Sequence, residues 1–291
     1  MRYTIKNDKI KVEIDSMGAE LMSVQSADGT EYLWQGDAKY WKGHAPNLFP
    51  YIARLTNETY TLDGKEYHML IHGFVKRMEL TAEDITEQSI TFRLDSCEET
   101  MQQYPYRFSY FITYAAEGNV LKISHRVENH DDKRMYFGIG GHPGFNVPLE
   151  DGLSFEDYVL EFDHKCYPTQ VDFTEDIHVS GKDSLYILED DIRIPLKHDL
   201  FALDAVVLKN ADRAVTIKSA KGTRAVKVCY PDYKHVGFWH MPRTDAPYVC
   251  VEPWSSLPSR AGVVEDFAQQ SDLVYADAGE TYKNVWTIEI I

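Results

Sequence analysis

Apolar and polar positions alternate in short runs over residues 10–14, 19–24, 32–34, 59–62, 78–81 and 89–94, the period-two pattern of half-buried strands. Asp28-Gly29 and Asp63-Gly64 fall between such runs. In Tyr60-Thr61-Leu62-Asp63-Gly64-Lys65-Glu66-Tyr67 the second pair predicts a hairpin, because Asp-Gly suits a two-residue turn with positive φ at both central positions. Longer runs at 106–114 and 120–128 flank Ala115-Ala116-Glu117-Gly118-Asn119 and predict two long strands joined by a turn. Further strands are predicted at 134–138, 205–208, 214–219, 225–230, 236–241, 248–251 and 285–290. Helical spacing is confined to 98–103, closed by Pro105, and to 263–270. Between residues 150 and 200 the pattern loosens into loops and edge strands, with shorter apolar runs at 158–162 and 184–188. With no repeat and no Gly/Ser- or Pro-rich linker, residues 1–291 are expected to form one all-β domain, a large antiparallel β-sandwich with a few short helices.

Charge and cysteine usage narrow the function classes. The formal net charge is -16 and no run of Lys or Arg forms a stripe, so the electrostatic footprint of a nucleic-acid binder is missing. Cys97, Cys166, Cys229 and Cys250 are widely spaced without a CxxC, and the residues after Met1 form no secretory apolar segment. Reduced thiols in a cytoplasm are expected. No apolar run approaches the roughly 18 residues that suggest a membrane span. The 19 Tyr, 13 Phe and 5 Trp suit pleated surfaces and sugar-stacking sites alike.

Four stretches combine a polar reactive group with an apolar, strand-like setting: Arg54 in Phe49-Pro50-Tyr51-Ile52-Ala53-Arg54-Leu55, His72 in Met69-Leu70-Ile71-His72-Gly73-Phe74, His142 in Gly140-Gly141-His142-Pro143-Gly144-Phe145-Asn146, and Glu252 in Tyr248-Val249-Cys250-Val251-Glu252-Pro253-Trp254. Pro143 confines His142 to extended backbone, which places the imidazole at a strand end. Glu252 is read at the end of an apolar strand, where desolvation disfavours the carboxylate and tunes it as a general base. Each stretch has a bland counterpart: a structural histidine, a core-edge arginine, a surface glutamate past a strand. His68 and His72, four apart on one strand face, could join Glu252 as metal ligands, but HExxH is absent, as are GxSxG, GxxxxGK[ST] and a dinucleotide fingerprint. Neither a metal nor a cofactor is expected.

In this order the motifs are similar to those of the aldose 1-epimerase (galactose mutarotase) family, and of its LacX-type bacterial branch in particular. The resemblance rests on Ala53-Arg54-Leu55 followed by the Thr59–Tyr67 hairpin, Ile71-His72-Gly73-Phe74, Tyr104-Pro105-Tyr106-Arg107-Phe108, Val127-Glu128-Asn129 ahead of Gly141-His142-Pro143-Gly144-Phe145-Asn146, and Cys250-Val251-Glu252-Pro253-Trp254. It implies the galactose mutarotase sandwich, Glu252 as general base, His142 as general acid, and His72, Arg54 and Asp204 as substrate-binding groups. Asp204 sits in Phe201-Ala202-Leu203-Asp204-Ala205, with Asp199 close by. Ala53 stands where family enzymes for free galactose commonly carry Asn, and Pro253-Trp254-Ser255-Ser256 differs from their usual continuation. The implied partner is an aldohexose or its phosphate, and a homodimer is compatible with the family.

The acid and base are expected to face one cleft from opposite sides of a pyranose's C1 and ring oxygen. Three rivals make different demands. A hexose 6-phosphate mutarotase needs Lys76, Arg77 or Arg243 in the pocket. A non-catalytic sugar-binding or regulatory module needs no acid–base pair, and a glycoside hydrolase needs a second carboxylate beside Glu252.

Overall fold

The computed structural model describes all 291 residues. Its strands are arranged mainly in two large antiparallel sheets. In the first the order across the sheet is Arg193–Pro195, Tyr158–Phe162, Ala214–Ser219, Ala225–Cys229, Thr281–Ile290, Val120–Asn129, Phe108–Glu117, Ser89–Asp95 and Thr81–Glu83. In the second it is Ser184–Leu185, Thr169–Gln170, Val206–Lys209, His235–Trp239, Tyr248–Trp254, Gly140–Gly141 and Asn47–Leu48, with Gly144–Asn146 also paired to Tyr248–Trp254. A three-stranded sheet, Arg2–Lys6, Ile10–Asp15 and Leu21–Ser26, opens the chain. Inward side chains of the two large sheets meet across a common core, for example Phe162 with Phe238, and Phe49, just past the Asn47–Leu48 strand, packs on Tyr110. The buried apolar cluster they belong to runs from Ile5 to Ile290. No helix is long and apolar enough to cross a membrane.

Much of the predicted pattern is present. The Thr59–Leu62 and Lys65–His68 strands close on Asp63 and Gly64, with φ of 52° and 74°, and Glu98–Gln103 is the one α-helix. Three expectations fail: residues 78–80 form only an isolated bridge, Met17 to Glu79, ahead of the strand Thr81–Glu83, and two further stretches differ. Residues 263–270 form no helix: Phe267 is buried, stacked 3.7 Å from Tyr60. Its backbone N–H donates to the Thr61 carbonyl, while the Thr61 N–H donates to Glu265. Pairing with the hairpin thus takes the bonds a helix would close internally. Residues 32–34 form only an isolated bridge, Leu33 to Phe145, because Asn146 donates its side-chain amide to the carbonyls of Glu31 and Leu33.

The core also contains histidines. His125, His142, His235 and His240 are buried, and desolvation pushes their pKa values down to about 4, 3, 3 and 4. A depressed folded-state pKa supplies stability that is full above the unfolded value near 6.5 and is lost as pH falls toward the folded value. Each such group contributes at most about 1.4 kcal/mol per pH unit. The melting temperature is therefore expected to fall between pH 6.5 and 4. His235 has no partner for either ring nitrogen, and a His235→Leu variant should show a shallower fall in pH-dependent thermal melts; an unchanged slope would show that burial does not keep His235 neutral.

Candidate functional site

The site is set by strand register. Gly140 pairs with Trp254 and Gly144 with Cys250, which leaves His142 opposite Glu252 on the adjacent strand. The Pro143 carbonyl accepts from the Val251 N–H, and the His142 N–H donates to Pro46 on the other side. Along Tyr248–Trp254, Val249 and Val251 enter the main core. Tyr248 and Cys250 join a second cluster with Trp34, and Trp254 a third with Leu48, Ile52 and Val207. Even-numbered residues of this strand therefore face away from the main core, toward a cleft of about 300 Å³ that Glu252 and Trp254 line.

Glu252 is not at a strand end as its sequence suggests. The strand continues through Pro253, which pairs with Val236, to Trp254, and all seven residues are buried. This interior position is what desolvates the carboxylate. Burial pushes its pKa well above the usual range, opposed by the Trp254 indole and reinforced by the charge of Asp204. The Trp254 Nε1–H donates to Glu252 Oε2 at 3.1 Å. The other oxygen, Oε1, lies 3.3 Å from His142 Nε2.

His142 has its Nδ1 fully buried without a partner, so Nε2 is the ring nitrogen within reach of the cleft. The ring is packed by Trp41 at 5.0 Å and Trp239 at 5.5 Å between centroids, and His72 meets it edge-on at 5.4 Å. Acid and base candidates thus stand side by side on one wall, and the expectation that they flank a sugar from opposite sides is corrected: cross-strand neighbours point to the same face of a sheet.

His72 reaches the cleft by a different route. It is beyond the hairpin in a turn, with φ of 65°, so it does not share a strand face with His68. His68 instead contacts Thr59 Oγ1 through Nδ1 at 3.0 Å. The His72 N–H donates to the Ala53 carbonyl, and the Ala53 N–H returns a bond to His72 Nδ1 at 3.1 Å. An accepting Nδ1 leaves the proton on Nε2. Ala53 itself has φ of 55°, a left-handed conformation in which asparagine is more at ease than alanine. Gly73, at φ of 69°, is required outright, since a Cβ would stand 2.2 Å from the Phe49 carbonyl oxygen. Burial, with His142, Lys76 and Arg54 nearby, lowers the His72 pKa well below 6.5.

Arg54 and Asp204 both line the cleft, whereas Asp199 lines only the adjoining cavity. Burial raises the Asp204 pKa against the pull of the Ala205 N–H and Arg54. All five candidates therefore converge. Missing from the sequence reading were the aromatic wall of Trp41 and Trp239 and the indole clamp of Trp254. Only Trp254 had a sequence cue, its period-two spacing from Glu252.

The His68–His72–Glu252 ligand set, already disfavoured by the sequence, is not assembled, since His68 stays on the hairpin against Thr59. Ligand atoms of His142, Cys250 and Glu252 instead come within 4.8 Å of one another. Burial keeps the Cys250 thiol pKa well above its usual value, so a metal held there would have to displace protons from both Cys250 and Glu252.

A family model described as aldose 1-epimerase matches residues 1–289. Protein LacX (plasmid) of Lactococcus lactis subsp. lactis is 32% identical over 302 residues, covering 100% of each chain. The structure of a galactose mutarotase related enzyme from Lactobacillus acidophilus superposes with a TM-score of 0.95 at 34% identity, over 100% of this chain and 97% of that one. A galactose mutarotase-like protein from Lactobacillus casei gives 0.95 at 30% identity with full coverage of both chains.

Proposed function

The chain belongs to the aldose 1-epimerase family, and we propose that its cleft interconverts the α and β anomers of an aldohexose by acid–base catalysed ring opening. The observation that carries this reading is a buried carboxylate and imidazole 3.3 Å apart on the wall of a cleft faced with indole rings. O1 and the ring oxygen of a pyranose are bonded to the same carbon, so two adjacent protein groups match two adjacent oxygens. Glu252 takes the proton of the anomeric hydroxyl through Oε1, and His142 Nε2 gives one to the ring oxygen. The bond from C1 to the ring oxygen breaks, C1 becomes an aldehyde, and rotation about C1–C2 exposes its other face. Closure returns both protons, leaving the protein unchanged.

Burial opposes charge on both groups, which makes Glu252 a stronger base and His142 a stronger acid than either is in water. Between the lowered His142 value and the raised Glu252 value the pair holds one proton, and the reactive form differs from the uncharged form by its transfer across 3.3 Å. Asp204, Arg54 and His72 hold the remaining hydroxyls, and Trp41 and Trp239 pack the sugar face. Four free cysteines accord with a reducing, cytoplasmic setting.

Two-dimensional exchange NMR or polarimetry on freshly dissolved anomers tests the proposal. Accelerated exchange for at least one hexose is expected; rates equal to the blank across a panel of sugars would overturn it. Trp254 has a positioning role. Trp254→Phe removes the bond to Oε2 and should lower kcat about tenfold, the order of a charged hydrogen bond, with KM little changed and the base titrating higher. A change confined to KM would remove that role.

A further inference from the structure

The cleft contains a cation that the anomeric chemistry does not use. Lys76 lines it together with His72 and His142, on the short 3-10 turn Val75–Arg77. Its backbone is clamped: Gly18, at φ of 66°, comes so close that a Cβ would stand 2.8 Å from the Lys76 Cα, and the Gly18 N–H donates to the Met78 carbonyl. The partly buried Lys76 ammonium has no hydrogen bond and no carboxylate oxygen within 4.0 Å. The acid whose charge reaches it, Glu20, is engaged with the backbone N–H groups of His44 and Ala45. In a chain with 46 acidic and 30 basic residues, an unpaired, half-buried lysine facing a cavity is a donor left for a ligand.

Its position says which part of a sugar it would meet. The Lys76 charge acts on His142 and His72, while the charge that acts on Glu252 is that of Asp204. Lys76 also sits on the turn just after His72, whose ring meets His142 edge-on at 5.4 Å, so the cation lies in the part of the cleft next to the acid. With His142 at the ring oxygen, the carbon beyond that oxygen is C5, and its exocyclic C6 arm leaves the ring on the same side. Of the other cations that a phosphorylated substrate would call for, Arg77 is exposed and outside the cleft, and Arg243 lines the adjoining cavity.

We propose that Lys76 is an anion subsite and that the sugar turned over carries a negative group on C6, as in a hexose 6-phosphate or a hexuronate. This rests on the mutarotase reading for its orientation. Partial burial and neighbouring Arg77 push the Lys76 pKa down to about 8, and a bound anion would offset both.

The test compares galactose and glucose with their 6-phosphates and uronates by exchange NMR, for the full-length protein and for Lys76→Gln and Lys76→Glu. In the wild type kcat/KM is expected to be at least tenfold higher for one anionic series than for the neutral sugars. The ratio of anionic to neutral kcat/KM should fall at least tenfold in Lys76→Gln and further in Lys76→Glu, whatever factor the two sugars share. The series with the larger ratio identifies phosphate or carboxylate as the group read. Neutral sugars matching or exceeding every anionic one in the wild type, or a ratio unchanged by either substitution, would overturn the subsite. If no sugar exchanges faster than the blank, the mutarotase reading itself fails, and quenching of the cleft tryptophans decides the subsite. Galactose 6-phosphate or galacturonate binding more tightly than galactose, with the difference abolished in Lys76→Gln, would uphold it; equal binding would reject it.

Discussion

Glu252→Gln is expected to slow anomer exchange by about 10² to 10⁴, the contribution of one positioned proton transfer. Glutamine has nearly the same shape, and its carbonyl oxygen can still accept from Trp254 Nε1, so the cleft should survive while the base is lost. Stability should not suffer. Burial raises the Glu252 pKa, and a raised folded-state pKa favours folding below the unfolded value but costs stability as pH rises toward the folded one. The neutral amide removes that cost at neutral pH, so the variant should melt at or above the wild-type temperature. Loss of exchange with an equal or higher melting point is the expected pair of results; wild-type exchange rates in Glu252→Gln would remove Glu252 from the mechanism.

Substituting His142 with glutamine should produce a loss of the same order, and the pH profile separates its role from simple packing against Trp41. In the wild type a second proton enters the pair only near the depressed His142 value of about 3, and the pair's own proton leaves only above the raised Glu252 value. kcat/KM should therefore rise as pH climbs past about 3, stay level until pH approaches the raised Glu252 value, and fall beyond it. His142→Gln should lose the level region and retain a single limb rising with pH as Glu252 ionises. A variant with reduced rate but the wild-type profile would make His142 structural. Because the two groups act as a unit, the Glu252→Gln/His142→Gln double variant should be about as slow as the slower single variant.

The side-by-side placement also bears on how the reaction is confined. One wall carries both proposed proton-transfer groups, and Asp204, Arg54 and His72 line the same cleft. Trp41, Trp239 and His142 form a contiguous set of rings. In the proposed reaction such a wall excludes water from the opened aldehyde.

Local chemistry determined a good deal by itself. Period-two alternation identified the strands, Asp63-Gly64 the hairpin, and the Gly- and Pro-flanked histidine and glutamate the residues with unusual settings, because each depends on neighbours along the chain. The limits of local pattern are clearest at Tyr248–Trp254. Buried on both faces, the strand shows little alternation, so Glu252 looks like the residue after a strand and not a member of one. Residues 263–270 show the same limit from the other side, since a helix-compatible spacing yields to pairing with Thr61. Only the tertiary structure decided that His142 stands opposite Glu252, that Cys250 joins them, that Trp41 covers them, and that Lys76 faces the same space without a partner. Those are consequences of register between strands about 110 positions apart and of loops laid over a sheet. Such pairings depend on how distant segments share one core, which no local pattern encodes.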